Sequence, residues 1–354
     1  MNYSRWRFAS MHNGRFENHG AKSVKTLWHL ICFGAHIVTS RPEKDNELSS
    51  WLTPVAKQPF LPQSFALASH IMWIGHATFL MRLGNKTVLT DPIFDSFSCL
   101  LNFKRLVEPG IAIDQLPPID VVLISHNHPD HMDKKTLLFL KKRHDPLFLI
   151  PYGTGNWFRR HGFSRVKEFS WWDKLTLDDL TCTFLPAIHW SQRGLTDHNR
   201  SLWGGWMIES YDEHKKTSLF FAGDTAYGTH FKAIAEAYPN IDLALLPIGP
   251  CDPNDLNRQA HLNGEEVGKA FIDLKADCLV PMHWGTYRLG AEHPLVPIKR
   301  LVLWWKQQAH LLQDKSLLSM KIGELLALAP HLKMKALERT GHLMRAGMSG
   351  GHIF

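Results

Sequence analysis

Val121-Val122-Leu123-Ile124-Ser125 runs straight into His126-Asn127-His128-Pro129-Asp130-His131. The first five residues form a short, β-branched, apolar run, the mark of a buried strand. The next six hold three histidines and one aspartate. Neutral imidazole and carboxylate are good ligands for zinc and similar divalent ions. His126 and His128 stand two apart, so on an extended turn they point the same way and can grip one ion. Asp130 and His131 open the following helix, point elsewhere, and are free for a second ion. A polar loop of hydrogen-bonded histidines is the plain alternative, and ligand-type residues this dense after a core strand argue against it.

A catalytic zinc usually takes three protein ligands and a water, so partners are expected downstream. His189 follows the run Phe184–Ile188, Asp224 follows Phe220–Gly223, and His283 follows Leu279–Met282. Each alone reads as a capping or structural residue. Together they complete enough donors for two metals. Asp224 is the natural bridge, because a carboxylate has two oxygens and can serve two cations.

Further strands are expected at Ile71–Ile74, Thr78–Leu83, Thr87–Thr90, Leu147–Ile150, Val166–Phe169, Leu180–Leu185, Trp203–Glu209, Ser218–Ala222, Leu243–Ile248 and Cys278–Met282. Gly84-Asn85 is a hairpin signal. Helices are expected at Asp133–Arg143, Phe231–Tyr238, Gly264–Leu274 and Leu301–Leu312. Hairpins and strand–helix alternation occur together, which fits a layered α/β (α+β) architecture with sheets inside and helices outside. Residues 1–65 read as an irregular N-terminal extension, with a polar loop at Arg41–Ser50. Residues 66–330 read as the folded domain and 331–354 as a basic tail.

The chain has 354 residues, 44% hydrophobic and 21% charged, which excludes a disordered chain. Its 22 histidines direct attention to metals and proton transfer. The formal net charge of +7 suits an anionic substrate or an acidic membrane surface. No run of five basic residues occurs, so nucleic acid is not expected. Five cysteines without a CxxC pair read as reduced thiols in a cytoplasmic protein. Leu27–Val38 is an apolar run of 12 residues, short of the ~20 that span a membrane. It reads as a helix packed on the domain or as an interfacial segment, with Arg5, Trp6, Arg7 and Phe8 upstream suited to lipid.

The HxHxDH run followed by separated His, Asp and His resembles the metallo-β-lactamase superfamily. Trp73–Leu80 (WIGHATFL), Leu89–Phe94 (LTDPIF), Leu116–Asp133, His189–Trp206 (HWSQRGLTDHNRSLWGGW), Phe220–Gly228 (FFAGDTAYG) and His283–Leu289 (HWGTYRL) are similar to the branch of N-acyl-phosphatidylethanolamine-hydrolysing phospholipases D and their bacterial relatives. The likeness covers roughly Trp51 to Gln308. It implies an αββα sandwich, two β-sheets flanked by helices, with two divalent metal ions at its rim. Zinc is the expected metal, with Mn or Fe as substitutes. One ion would take His126, His128, His189 and Asp224; the other Asp130, His131, Asp224 and His283. Asp91 would support the ligand loop, and His76 would orient ligands or serve as a buried structural histidine. His261 matches a histidine near the substrate, or else starts a helix. The family usually has an aromatic where this chain has Pro129, and Tyr-Glu-Pro near Pro250-Cys251-Asp252, so the likeness is weaker for the substrate than for the metals.

The resemblance implies phosphodiester hydrolysis of N-acyl-phosphatidylethanolamine-like phospholipids, with Asp130, Asp224 and His261 as catalytic residues. A water bridging two cations ~3.5–4 Å apart would attack phosphorus, and His261 or a metal-bound water would protonate the leaving group. Expected partners are a phospholipid or other anionic phosphodiester, a peripheral membrane contact and a homodimer. The alternatives are a soluble lactonase or phosphodiesterase on a sugar-phosphate or nucleotide-like substrate, and a non-catalytic metal-binding protein. No phosphate-cradling Gly-rich loop or dinucleotide fingerprint is present.

Overall fold

A computed structural model describes residues 4–19, 69–98, 102–212, 215–252 and 257–328. The expectations for Leu27–Val38, Arg41–Ser50 and 331–354 lie outside these residues. A short hairpin pairs β1 (Ser10–His12) with β2 (Arg15–Glu17). There follow β3 (His70–Gly75), β4 (Thr78–Leu83), β5 (Lys86–Thr90), the small hairpin β6 (Phe97–Ser98) and β7 (Asn102–Phe103), then β8 (Val121–Leu123), helix α1 (Lys134–Arg143), β9 (Leu147–Pro151), helix α2 (Gly155–Arg160) and β10 (Val166–Phe169). The second half holds β11 (Lys174–Leu177), β12 (Leu180–Leu185), β13 (Gly205–Asp212), β14 (Lys215–Phe221), helix α3 (His230–Ala237), β15 (Leu243–Pro247), helix α4 (Gly264–Leu274), β16 (Cys278–Met282), helix α5 (Val296–Gln307), β17 (Ser316–Leu317) and β18 (Leu325–Ala327).

Two seven-stranded sheets result, ordered β10-β9-β8-β5-β4-β3-β18 and β11-β12-β13-β14-β15-β16-β17. Each is antiparallel on one side and parallel on the other: β5, β8, β9 and β10 pair in parallel, as do β14, β15, β16 and β17. Strand β8 explains the layering. Successive side chains face opposite sides of a strand. Val121 and Leu123 enter the core between the sheets with Trp206 and Leu245, whereas Val122 and Ile124 pack outward with Leu137, Leu140 and Phe158. Both faces of that strand are covered, hence its unbroken apolar run. Behind the second sheet, Val267 and Phe271 of α4 and Leu301 and Trp305 of α5 join the core. The order helix, sheet, sheet, helix is the expected αββα sandwich.

Two helices start at side-chain caps. Asp133 accepts from the Thr136 backbone N–H at 2.8 Å and caps α1. Asn263 and Glu266 form a capping box on α4, since their side chains satisfy backbone donors that have no helical partner. His261 therefore lies outside the cap of α4.

The expectation of irregular structure over residues 1–65 fails for residues 4–19. Trp6 and Phe16 belong to the main core, exposed only 1% and 4%. The Trp6 indole N–H donates to Thr229 Oγ1 at 3.0 Å, and the Trp172 indole donates to Trp6 O. Burying large aromatics with their polar handle bonded stabilises this segment on the body. Trp6 is consequently not a lipid-facing side chain, while Phe8 stays exposed.

Candidate metal centre

The site lies at one rim of the sandwich, where strands of both sheets end. Asp91 follows β5, His126–His131 follow β8, Asp224 follows β14 and His283 follows β16, while His189 comes from the loop after β12. Ligand sites in open α/β sheets favour the carboxyl ends of parallel strands. Close approach is enforced by Gly223, at φ +59°: a Cβ there would lie 2.5 Å from Ser125 Cβ and 2.9 Å from Gly204 O. Further along, the Trp206 indole N–H donates to Ile124 O at 3.0 Å and ties the second sheet to the root of the ligand loop. His76, Asp91 and His283 all hold positive φ (54°, 32° and 66°), a conformation costly for side chains and concentrated at functional sites.

The sequence-expected ligands converge. His126, His128 and His189 form one group, and Asp130, His131 and His283 form another with His76. His126 Nε2 lies 2.8 Å from His128 Nδ1, which is 3.3 Å from His189 Nε2. Asp224 Oδ2 sits between the groups, 3.2 Å from His283 Nε2, 3.3 Å from His131 Nε2 and 3.8 Å from His189 Nε2. His261 Nδ1 is 3.7 Å from the same oxygen, on a side chain 13% exposed. His76 Nε2 contacts Asp130 Oδ2 at 3.0 Å.

The nitrogens facing away from the centre are also held. His131 Nδ1 meets Asp91 Oδ2 at 2.8 Å, His126 Nδ1 meets Ser125 Oγ at 2.9 Å, His189 Nδ1 meets Ala260 O at 2.8 Å and His283 Nδ1 meets Gly249 O at 3.1 Å. Metal-binding imidazoles show this arrangement, in which an outer partner fixes tautomer and ring orientation. Asp91 is the hub, accepting from Ser125 N at 2.7 Å and Ser125 Oγ at 2.5 Å as well.

Electrostatics fit a cation. Burial, then neighbouring imidazoles, hold His126 and His128 well below the usual histidine range, so both present lone pairs. Burial and His283 lower His76 to about 3. Burial opposes charge on Asp224 and Asp130, but adjacent histidines outweigh it and both stay well below the usual carboxylate range. For His131, burial is likewise outweighed, by Asp224 and Asp130, and its pKa rises well above normal. Asp224 Oδ1 is buried and has no hydrogen-bond partner among the described residues. Such an orphan, on a buried carboxylate ringed by histidines, is what a divalent cation would satisfy.

Several residues at the site escaped sequence reasoning. Ser125 links Asp91 to His126. Arg193 donates to Asn127 O at 3.3 Å and Met132 O at 2.7 Å, joining the His189 loop to the ligand loop. Trp190 packs on the His128 ring, centroids 4.2 Å apart. Asn18 brackets the backbone of His189. Ser125 and Trp190 adjoin expected ligands in sequence and Arg193 lies in the quoted His189–Trp206 segment; Asn18 acts on backbone atoms and leaves no motif.

The fold and this donor set define a metal-site protein of the sandwich type, and the chain belongs to the metallo-β-lactamase superfamily: a family model described as a beta-lactamase superfamily domain matches residues 86–284, over half the chain. More particularly, it is 31% identical over 268 residues to N-acyl-phosphatidylethanolamine-hydrolyzing phospholipase D 1 of Caenorhabditis elegans, covering 72% of this chain and 74% of that protein. It is 35% identical over 237 residues to the mitochondrial N-acyl-phosphatidylethanolamine-hydrolyzing phospholipase D of Saccharomyces cerevisiae, covering 65% of this chain but only 50% of the yeast protein. Among solved structures, Igni18, a metallo hydrolase from Ignicoccus hospitalis, shares the fold with TM-score 0.55 at 20% identity, covering 74% of this chain and 99% of that one.

Proposed function

We propose that the chain is a dinuclear metal-dependent phosphodiesterase of the phospholipase D type, acting on N-acyl-phosphatidylethanolamine-like phospholipids. The observation that carries this reading is the position of Asp224 Oδ2 within 3.8 Å of His189, His131 and His283, histidines of both ligand groups. His126, His128, His189 and Asp224 would hold one ion; Asp130, His131, Asp224 and His283 the other. Bound divalent ions supply Lewis acidity and a water acidified toward neutral pH.

The chain's own groups do the rest. Asp224 keeps its carboxylate charged in the buried centre, and His76 orients Asp130. Water oxygen bonds to phosphorus and sheds one proton to solvent as the bond from phosphorus to the headgroup oxygen breaks. His261, the partly exposed histidine beside Asp224, gives the leaving oxygen its proton. The relatives' names supply the substrate class. Two strongly exposed apolar side chains support a peripheral lipid contact: Phe8, 78% exposed, and Leu195, 95% exposed. They stand on the two segments that meet at His189. Among the described residues no helix is long and apolar enough to cross a membrane.

Metal-replete and metal-depleted protein should be assayed on N-acyl-phosphatidylethanolamine in mixed micelles and on a water-soluble phosphodiester. Metal-dependent release of the headgroup alcohol, faster from the micelle, is expected. Turnover of the soluble ester alone would refute the lipid assignment.

A further inference from the structure

The N-terminal segment reaches the metal centre through one side chain. Asn18 Nδ2 donates to His189 O at 2.7 Å, and His189 N donates to Asn18 Oδ1 at 3.1 Å. One amide thus satisfies both backbone groups of a proposed ligand 171 residues away. The His189 ring is fixed separately, through Nδ1 to Ala260 O. Backbone and ring are therefore held by different parts of the chain.

The amide is itself well anchored. Beside it, Phe16 N donates to Asn199 O at 2.7 Å and Arg15 donates to His198 O, so β2 lies along the loop that follows His189. At the other end of the segment, the Trp6 ring packs against Trp171, His230 and His19, at centroid distances of 6.0, 5.3 and 5.2 Å. Trp6 and Arg5 both donate to Thr229 Oγ1, five residues beyond Asp224. The segment is pinned beside two strand-end loops of the metal site, the one carrying His189 and the one after Asp224.

We infer that Asn18 is a positioning residue for His189, and that residues 4–19 form part of the metal centre rather than an appendage to it. The inference rests on the proposed assignment of His189 to one ion only. Loss of the clamp lets the His189 loop shift, which weakens that ion and spares the other. Outer partners of metal ligands typically contribute about 10–100-fold in metal affinity.

Metal stoichiometry after graded chelation, together with Tm, should be measured for wild type, Asn18→Ala, Asn18→Asp and His189→Ala. The expected result is that Asn18→Ala stays folded with a modestly lowered Tm and gives up one ion at about 10–100-fold lower chelator concentration, while the other ion is held as in wild type. Asn18→Asp, which retains the acceptor for His189 N–H, falls between it and wild type. Wild-type retention of both ions in Asn18→Ala, while His189→Ala loses one, overturns the clamp and leaves the ligand assignment standing. Parallel loss of both ions with a lowered Tm also overturns it, since that marks a merely structural contact. Retention of both ions by His189→Ala overturns the ligand assignment and the inference with it.

Discussion

Asp91 Oδ2 lies 2.8 Å from His131 Nδ1, with both side chains fully buried. The same carboxylate takes both donors of Ser125, whose hydroxyl also touches His126. Burial raises the Asp91 pKa and the donors from His131 and Ser125 oppose that rise. Asp91→Asn preserves shape but sets an amide N–H₂ against one of these donors. Metal affinity should fall about 10–100-fold and stability by about 1–3 kcal/mol, read by metal competition and urea unfolding. Unchanged metal affinity would show that Asp91 does not orient His131.

His261 is assigned the leaving-group proton, so its replacement should spare metal and slow only the chemistry. His261→Gln is expected to keep the metal content and lose about 10²–10⁴-fold in kcat on a phospholipid. An ester with a p-nitrophenolate leaving group needs no proton and should be nearly unaffected. An equal loss on both esters would remove His261 from that role.

His230 lies fully buried against Trp6 and Phe231. Burial lowers its pKa from 6.5 to about 3. Between those values the unfolded chain binds a proton that the folded chain refuses. Stability from this group is present above pH 6.5 and lost as pH falls toward 3. Over that window the wild type should lose about 1.4 kcal/mol per pH unit more than His230→Phe, measured by urea unfolding at pH 7 and 5. Parallel pH profiles would contradict the assignment.

Elements whose residues repeat a local pattern were legible in the sequence. Buried runs such as Leu180–Leu185 and Cys278–Met282 match the observed strands, and α4 begins at its Asn263 cap. Helix α2 spans only six residues, GNWFRR, too short to show a period. Strand β18 exists through its pairing with β3, far away in sequence. The convergence of the proposed metal ligands was readable because each follows a strand and carries a distinctive side chain. Among their supports, Asp91 and His76 were legible through the family segments that hold them, whereas Asn18 was not, since it bonds to backbone atoms that look alike in every sequence. The placement of Trp6 follows from tertiary packing, and the same indole would suit lipid or a core.

In the proposed centre Asp224 joins two metal sites. The direct measurement is metal bound per chain, by elemental analysis after equilibrium dialysis, for wild type and Asp224→Ala, with hydrolysis followed on the same samples. Two ions per wild-type chain, weakened binding of both in the variant and loss of hydrolysis together are the expected result. Undiminished metal content in Asp224→Ala, or hydrolysis equal to wild type, would contradict the account.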